Sequence, residues 1–412
     1  KFDLTLYIQE TEQGIFIRWV YNKDLFKANT VEYMGQCFQT LLENMVAQPN
    51  QGITTLPLLN QQSRPAAPPD PITLPFTEFS KSEIEQSIPA RFAAQVNQRG
   101  EQIAVKTQRY QWTYQDLERH SNQVAQTLLT QETTTRAALL FEHDAPMIAG
   151  LLGTLKAGKA YVPLDPTYPV ERLRYVLENS QATVILTNAQ NLKLARQLAS
   201  ETVMLINIED LSTTPKTVPE VEILPGEIAY ILYTSGSTGQ PKGVIQNHRN
   251  ILHFIRNQTN RLHISSQDRV LLLASYSFDA AVVDIFSAIL NGATLYPFDI
   301  KKQGFNHLAQ WLNEQHITLY HSTPTLYRSF LEQQLAESEE LPAKLSTIRA
   351  IILGGEPSLP ADLERYQRWF SPDCVFVNLF GSTESTISLE HIVTQNRSEE
   401  RRVRKECRSR WS

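Results

Sequence analysis

The segment Tyr233-Thr-Ser-Gly-Ser-Thr-Gly-Gln-Pro-Lys-Gly243 follows the apolar run Ile228-Ala-Tyr-Ile-Leu232 without a break. Its composition suits the capture of a phosphate chain. Gly236, Gly239 and Gly243 let the backbone turn tightly and bring successive N–H groups toward one anion. Thr234, Ser235, Ser237 and Thr238 add hydroxyl donors, and Lys242 adds a point positive charge. A polar loop at the end of a buried strand is where an α/β protein places a ligand. The Walker A pattern G-x-x-x-x-G-K-[ST] fails at two positions: counted from Gly236, Pro241 stands at its second glycine, and Gly243 follows Lys242. A Ser/Gly-rich surface linker is the bland alternative, although such linkers rarely follow a hydrophobic strand or carry Pro-Lys-Gly.

Asp279 is a second residue that demands a reason. The run Tyr276–Leu290 is mostly apolar or small, so a carboxylate within it needs a partner. The partner could be the N–H groups at the start of a helix over Ala280–Leu290, with Asp279 as the N-cap. A ligand cation could share it.

These residues need a scaffold, and the pattern from about residue 80 to 396 supplies one. Short apolar runs read as strands: Ala137–Phe141, Tyr161–Leu164, Thr183–Thr187, Ile228–Tyr233, Val270–Ala274, Ala293–Pro297, Ile317–His321, Ala350–Leu353 and Val375–Leu379. Helical patterns lie between them, as at Asp116–Leu129, Val170–Asn179, Asn250–Asn260 and Phe305–Gln315. This rhythm implies an α/β fold of parallel-rich sheets sandwiched by helices.

Residues 1–59 differ. Leu4, Leu6 and Ile8, then Ile15, Ile17 and Trp19, alternate with period two about Gly14, which predicts a hairpin. A helix follows over Thr30–Ala47, and the whole unit is too small for a self-sufficient core. Residues 60–79 are proline-rich and read as a linker. Residues 397–412 carry seven basic residues against three acidic and break the α/β rhythm. They read as a non-native tail, resembling one frame of a sequencing-library adapter, rather than a basic arm for an acidic partner.

Composition narrows the classes. A chain of 412 residues suggests two to three domains at about 150 residues each. The net charge of −5 argues against a nucleic-acid surface. Cys37, Cys374 and Cys407 are too scattered for a disulfide framework or a zinc site, which suits a reducing cytoplasm. No apolar run approaches the roughly 20 residues of a membrane span, so no membrane partner is expected.

Five segments in order carry a resemblance: Trp112-Thr-Tyr-Gln-Asp-Leu117, Leu155-Lys-Ala-Gly-Lys-Ala-Tyr-Val-Pro-Leu-Asp165, the loop at 233–243, Phe278-Asp279, and Asn378-Leu-Phe-Gly-Ser-Thr-Glu384. Together they make 80–396 resemble the N-terminal core of the adenylation domain of nonribosomal peptide synthetases, within the acyl-adenylate-forming (AMP-binding) superfamily. Residues 1–59 look like the end of a condensation domain.

The resemblance implies ATP-dependent activation of an amino acid, with Mg²⁺ as cofactor. Positioning and charge neutralisation do most of the catalysis in such transfers. Thr234, Ser235, Gly236, Ser237, Thr238, Gly239, Lys242 and Gly243 would surround the β- and γ-phosphates, Thr238 and Lys242 with a catalytic part. Thr383 would donate to the α-phosphate and Glu384 would hold Mg²⁺. Gly355, Glu356, Asn378, Phe380 and Gly381 would complete the nucleotide site. Phe380 replaces the usual Tyr, keeping stacking but losing a phenolic hydrogen bond, and Ser382 replaces the usual Pro.

Asp279 would bind the α-ammonium group. The side-chain pocket would be lined by Ala280, Val283, His321, Ile352, Gly354, Leu379, Ile387 and Ser388. That set is mostly apolar, has polar points at His321 and Ser388, and contains no charge to match a Lys, Arg, Asp or Glu substrate. A neutral amino acid is therefore expected, with aromatic and hydroxylated side chains as the candidates. A lone His on an apolar strand is nonetheless often a satisfied core residue.

The family places a ribose-binding aspartate, a hinge and a C-terminal subdomain with a catalytic lysine after residue 396. A chain without them is expected to bind nucleotide weakly and adenylate poorly or not at all. Partners implied are a carrier domain bearing phosphopantetheine and a condensation domain of the same assembly line. Two alternatives stay open: an acyl- or aryl-CoA ligase of the same superfamily, and a non-catalytic scaffold.

Overall fold

The computed structural model describes residues 4–395 apart from 12–13, 24–25, 27, 53–55, 57–71, 73, 132–133, 212–220, 236–239, 338–344 and 387–388. Contacts divide the chain into two units, one within residues 1–71 and one within 72–397. In the first, strands β1 (Leu4–Thr11) and β2 (Gly14–Tyr21) form the expected hairpin, in the register Ile8↔Ile17. Gly14 turns the chain with φ +121°, a conformation that side chains disfavour. Helix α1 (Ala28–Ala47) buries Val31, and Trp19 meets Phe38 edge-on at 6.3 Å. Tyr7, Ile8, Ile15, Phe16 and Val20 stay exposed, consistent with a unit too small to cover its own apolar side chains.

The second unit holds two sheets. One has six strands in the order β10-β9-β6-β5-β7-β8: β5 (Arg136–Leu140), β6 (Ala160–Leu164), β7 (Val184–Thr187), β8 (Met204–Asn207), β9 (Ile228–Thr234) and β10 (Lys242–Asn247). The other has eight in the order β16-β15-β14-β13-β11-β12-β3-β4. These are β3 (Ile103–Lys106), β4 (Gln111–Thr113), β11 (Arg269–Leu272), β12 (Thr294–Pro297), β13 (Leu319–Ser322), β14 (Ala350–Leu353), β15 (Val375–Phe380) and β16 (Leu389–Thr394). The inner strands are parallel, as their continuous apolar runs predict. Three edge pairs are antiparallel instead: β9–β10, β15–β16 and β3–β4. Each joins strands through a short connection, which only antiparallel pairing permits.

Helices cover the sheets: α2 (Ile88–Arg99), α3 (Tyr114–Leu129), α4 (Ala145–Lys156), α5 (Val170–Ser180), α6 (Leu192–Leu198), α7 (His248–Leu262), α8 (Asp279–Ile289), α9 (Ile300–Glu314), α10 (Pro324–Glu337) and α11 (Pro360–Trp369). A Thr113–Asp116 capping box starts α3. The buried α4 packs so closely on α3 that a Cβ at Gly153 would lie 2.6 Å from the Ser121 carbonyl oxygen. Gly304, at φ +76°, kinks α9, which explains why a regular helical pattern begins only at Phe305. Residues 74–79, read from sequence as the end of a linker, pack onto this unit: Phe76 stacks on His263 at 4.1 Å, and the Phe79 backbone bonds Asn260 twice.

Tyr276 links the sheets. Its buried hydroxyl lies 2.8 Å from both the Leu139 and Leu164 carbonyl oxygens, at the ends of β5 and β6, on the loop that leads into α8. Among the described residues no helix is long and apolar enough to cross a membrane.

Candidate active site

The phosphate-loop segment is the connection of the β9–β10 hairpin, where Lys242 pairs with Thr234 and Gly243 with Tyr233. Helix α5 holds its base from the side. The Tyr175 hydroxyl donates to the Pro241 carbonyl oxygen (3.1 Å), and the Tyr233 hydroxyl donates to Asn179 Oδ1 (2.8 Å). Ser235 and Lys242 are exposed, while Gly236, Ser237, Thr238 and Gly239 lie outside the described residues. Gly243 has a packing reason as well: a Cβ there would come within 2.9 Å of Ile231 Cγ2 and 3.2 Å of the Tyr233 ring.

The remaining residues gather at the C-terminal ends of the parallel strands β13, β14 and β15, where open α/β sheets bind ligands. After β14 the chain passes through Gly354 and then Gly355, whose φ of +81° favours glycine. The Glu356 carboxylate is turned to α10, accepting from Thr325 N (3.1 Å) and Thr325 Oγ1 (2.5 Å). On β15, Asn378 Oδ1 accepts from Ser358 Oγ (2.9 Å). Phe380 ends that strand with 49% of its surface exposed, beside the exposed Gly381. An open aromatic face at a strand end is what stacking on a base requires.

A tight turn over Ser382–Ser385 follows, closed by Ser385 N donating to the Ser382 carbonyl oxygen (3.0 Å). Glu384 points to solvent from it. Its own backbone N–H and the Ser382 hydroxyl hold its carboxyl below the usual carboxylate range. Ser382, standing where the family usually has Pro, thus contributes a hydrogen bond to the carboxylate beside it. Gln246, a residue sequence reasoning missed, reaches across from β10 and donates to the Glu384 backbone carbonyl oxygen (2.8 Å). The Gln246 Oε1 accepts from Asn250 Nδ2 (2.9 Å), which fixes the amide orientation.

Asp279 is the first residue of α8; Phe278, in extended geometry, precedes the helix. The alternative that Asp279 is the N-cap of a helix starting at Ala280 therefore does not hold, because Phe278 takes that position. One role of a cap survives, since Asp279 Oδ1 accepts from Ala280 N (2.9 Å). Burial pushes its carboxyl up, against hydrogen bonds from the Thr383 hydroxyl and the Ala280 N–H and the attraction of His321. Thr383, from the nucleotide set, is therefore in contact with Asp279, from the substrate set.

His321 on β13 and Ile352 on β14 are register partners. Val283, Ile352 and Leu379 are buried, and Ala280 is half-buried. A Cβ at Gly354 would lie 3.3 Å from Leu379 Cβ and 3.9 Å from His321 Nε2, so these three residues share one wall. Ile387 and Ser388 lie outside the described residues. His321 is not alone on its strand. Its Nδ1 lies 2.7 Å from Oδ1 of Asp284, a buried carboxylate on α8 that sequence reasoning missed. A second carboxylate within the apolar Ala281–Leu290 run was the signal available.

The AMP-binding enzyme family model matches residues 92–407. The chain belongs to the AMP-binding enzyme family. The condensation-domain model matches residues 1–66, ahead of the AMP-binding region. Tyrocidine synthase 2 of Brevibacillus parabrevis is 33% identical, over 94% of this chain and 10% of that protein. Gramicidin S synthase 2 of Brevibacillus brevis is 30% identical, over 94% of this chain and 8% of that protein. The chain thus spans a small part of these curated relatives. Among solved structures, a four-domain nonribosomal peptide synthetase, holo-AB3403, bound to AMP and glycine, superposes with a TM-score of 0.68 and 26% identity, over 95% of this chain and 28% of that one. The AMP-binding region of this chain therefore has the nonribosomal peptide synthetase adenylation fold.

Proposed function

We propose that this chain forms the site at which a neutral α-amino acid is activated with ATP for thioester loading in nonribosomal peptide synthesis. In that reaction a carboxylate oxygen of the amino acid forms a bond to the α-phosphorus. The bond from that phosphorus to the bridging oxygen breaks, and pyrophosphate leaves with the electron pair.

One observation carries the reading. The turn bearing Thr383 and Glu384 is tied on one side to the phosphate hairpin through Gln246, and on the other its Thr383 hydroxyl lies near enough to Asp279 to lower that carboxyl's pKa. A group between them would have nucleotide contacts and a carboxylate within reach at once. Positioning of this kind supplies much of the barrier reduction in two-substrate reactions. The hairpin residues Thr234 to Gly243, with Thr238 and Lys242, would hold the β- and γ-phosphates, Phe380 the adenine, and Thr383 the α-phosphate. The upward shift at Asp279 marks a half-buried carboxylate short of a counter-charge, which an α-ammonium group would supply. The solved relative that binds AMP and glycine supports the same pairing of ligands.

Mg²⁺ fits the donor set. Glu384 offers one hard, exposed oxygen ligand that stays ionised, and Mg²⁺ commonly takes one or two carboxylates together with phosphate oxygens. Among the described residues no group of three or more His, Cys, Asp and Glu is placed to hold a metal without such help. When bound, the ion would neutralise charge on the departing phosphates. A carrier domain with phosphopantetheine would receive the aminoacyl group, and a condensation domain would use it.

Calorimetry of ATP binding to the full chain tests the nucleotide half. Binding should tighten on adding Mg²⁺, and Glu384→Gln should remove most of that gain while leaving adenosine binding intact. Equal Mg²⁺ dependence in native and variant protein would rule Glu384 out as the ligand.

A further inference from the structure

Asp284 is only 2% exposed, and its Oδ2 has no hydrogen-bond partner among the described residues. Keeping a buried carboxylate with one oxygen unsatisfied is costly, and a well-packed apolar residue of similar volume is often neutral or better for stability. Its one hydrogen-bond partner among the described residues is His321, itself 5% exposed. The 2.7 Å contact makes Nδ1 the donor to a carboxylate, and this fixes the ring's orientation and leaves Nε2 for other contacts. Nε2 is the His321 atom nearest to the empty Cβ position of Gly354, beside Leu379.

We propose that Asp284 is a positioning residue for substrate selection: it holds His321 with Nδ1–H turned inward, so that Nε2 meets the hydroxyl of a neutral amino-acid side chain seated over Gly354. This inference rests on the activation reading above and narrows it to hydroxyl-bearing substrates. A hydroxyl donates and accepts, so it suits Nε2 whether the ring is neutral or protonated. An aliphatic side chain seated there would cover that nitrogen without pairing it, and sites built to hydrogen-bond a hydroxyl reject analogues that lack it.

The test uses the full chain and two non-hydrolysable probes, the seryl and alanyl conjugates of sulfamoyl adenosine, with AMP as control. Native protein should bind the seryl probe at least about tenfold more tightly than the alanyl probe. Asp284→Leu, which fills the apolar site, should cut that preference to within about threefold, with AMP affinity unchanged. Its imidazole ¹⁵N spectrum should change from a single Nδ1-protonated form of His321 to a tautomer mixture. Asp284→Asn keeps an acceptor oxygen and should retain most of the preference. Unchanged preference in Asp284→Leu, or an unchanged His321 spectrum, would overturn the proposal. Equal binding of both probes by native protein would overturn it too while leaving the activation reading intact. Failure of AMP and both probes to bind would instead defeat the activation reading, and this inference with it.

Discussion

Gln246 Nε2 donates a 2.8 Å hydrogen bond to the backbone carbonyl oxygen of Glu384, 138 residues further along the chain. The donor is on the edge strand of the six-stranded sheet, and the acceptor follows a strand of the eight-stranded one. Because the same strand begins at Lys242, the bond sets the distance from the phosphate loop to the carboxylate proposed for Mg²⁺.

Gln246→Ala should therefore separate placement from chemistry. Two hydrogen bonds are lost, and net values of about 0.5–1.5 kcal/mol each imply a destabilisation of about 1–3 kcal/mol. Affinity for Mg²⁺-ATP should drop at least about fivefold, with adenosine affinity preserved. Urea unfolding and calorimetry read the two effects. A variant with native Mg²⁺-ATP affinity would show that the bond does not position Glu384.

Gly243→Ala should disturb the hairpin by crowding rather than by lost flexibility. The new methyl would press on Ile231 and on the Tyr233 ring, whose hydroxyl is held by Asn179. Overpacking of this sort costs about 1–3 kcal/mol. Thermal unfolding should register the loss, and Tyr233→Ala in the same chain should recover part of it. Additive losses in the double variant would refute the crowding explanation.

The acid side of the stability profile should depend on His248. Its buried Nδ1 accepts from Ile88 N (3.2 Å), and burial pushes its pKa from 6.5 down to about 4. Between these values the unfolded chain binds a proton that the folded chain refuses, so stability falls as pH drops from about 6.5 to about 4. The loss is of order 1–3 kcal/mol. His248→Asn keeps an acceptor but cannot titrate, so its unfolding free energy should fall less over that window than the native value. Parallel pH profiles for the two proteins would contradict the assignment.

Much of the scaffold was legible from residue pattern because the inner strands are buried on both faces. Ala350–Leu353 is observed as expected, Ala160–Leu164 and Val375–Phe380 differ from expectation by one residue at an end, and Arg136–Leu140 is shifted by one residue from the expected Ala137–Phe141. The edges were less legible. The first two residues of β10, Lys242 and Gly243, were read as the tail of the phosphate loop and the rest of the strand was not expected, and β4 has only three residues, Gln111–Thr113. In β16 the pattern is broken by Glu390, whose carboxylate is largely buried near Arg261 (3.6 Å). At the site, Asp279, Thr383 and Glu384 were legible from segment order. Gln246 and Asp284 were not, because each matters through one partner distant in sequence, a backbone carbonyl and an imidazole. No local period encodes such a contact.

The central claim is that Asp279 receives the ammonium group of an amino acid held beside the nucleotide. The most direct measurement compares the affinity of the full chain for an aminoacyl-sulfamoyl adenosine with that for its des-amino counterpart, in native protein and in Asp279→Asn. Leaving a desolvated charge unpaired costs about 2 kcal/mol or more, so native protein should favour the amino-bearing probe by about 30-fold or more. The variant should lose that preference. Equal or tighter binding of the des-amino probe by native protein would contradict the account and point to a ligase for simple carboxylic acids.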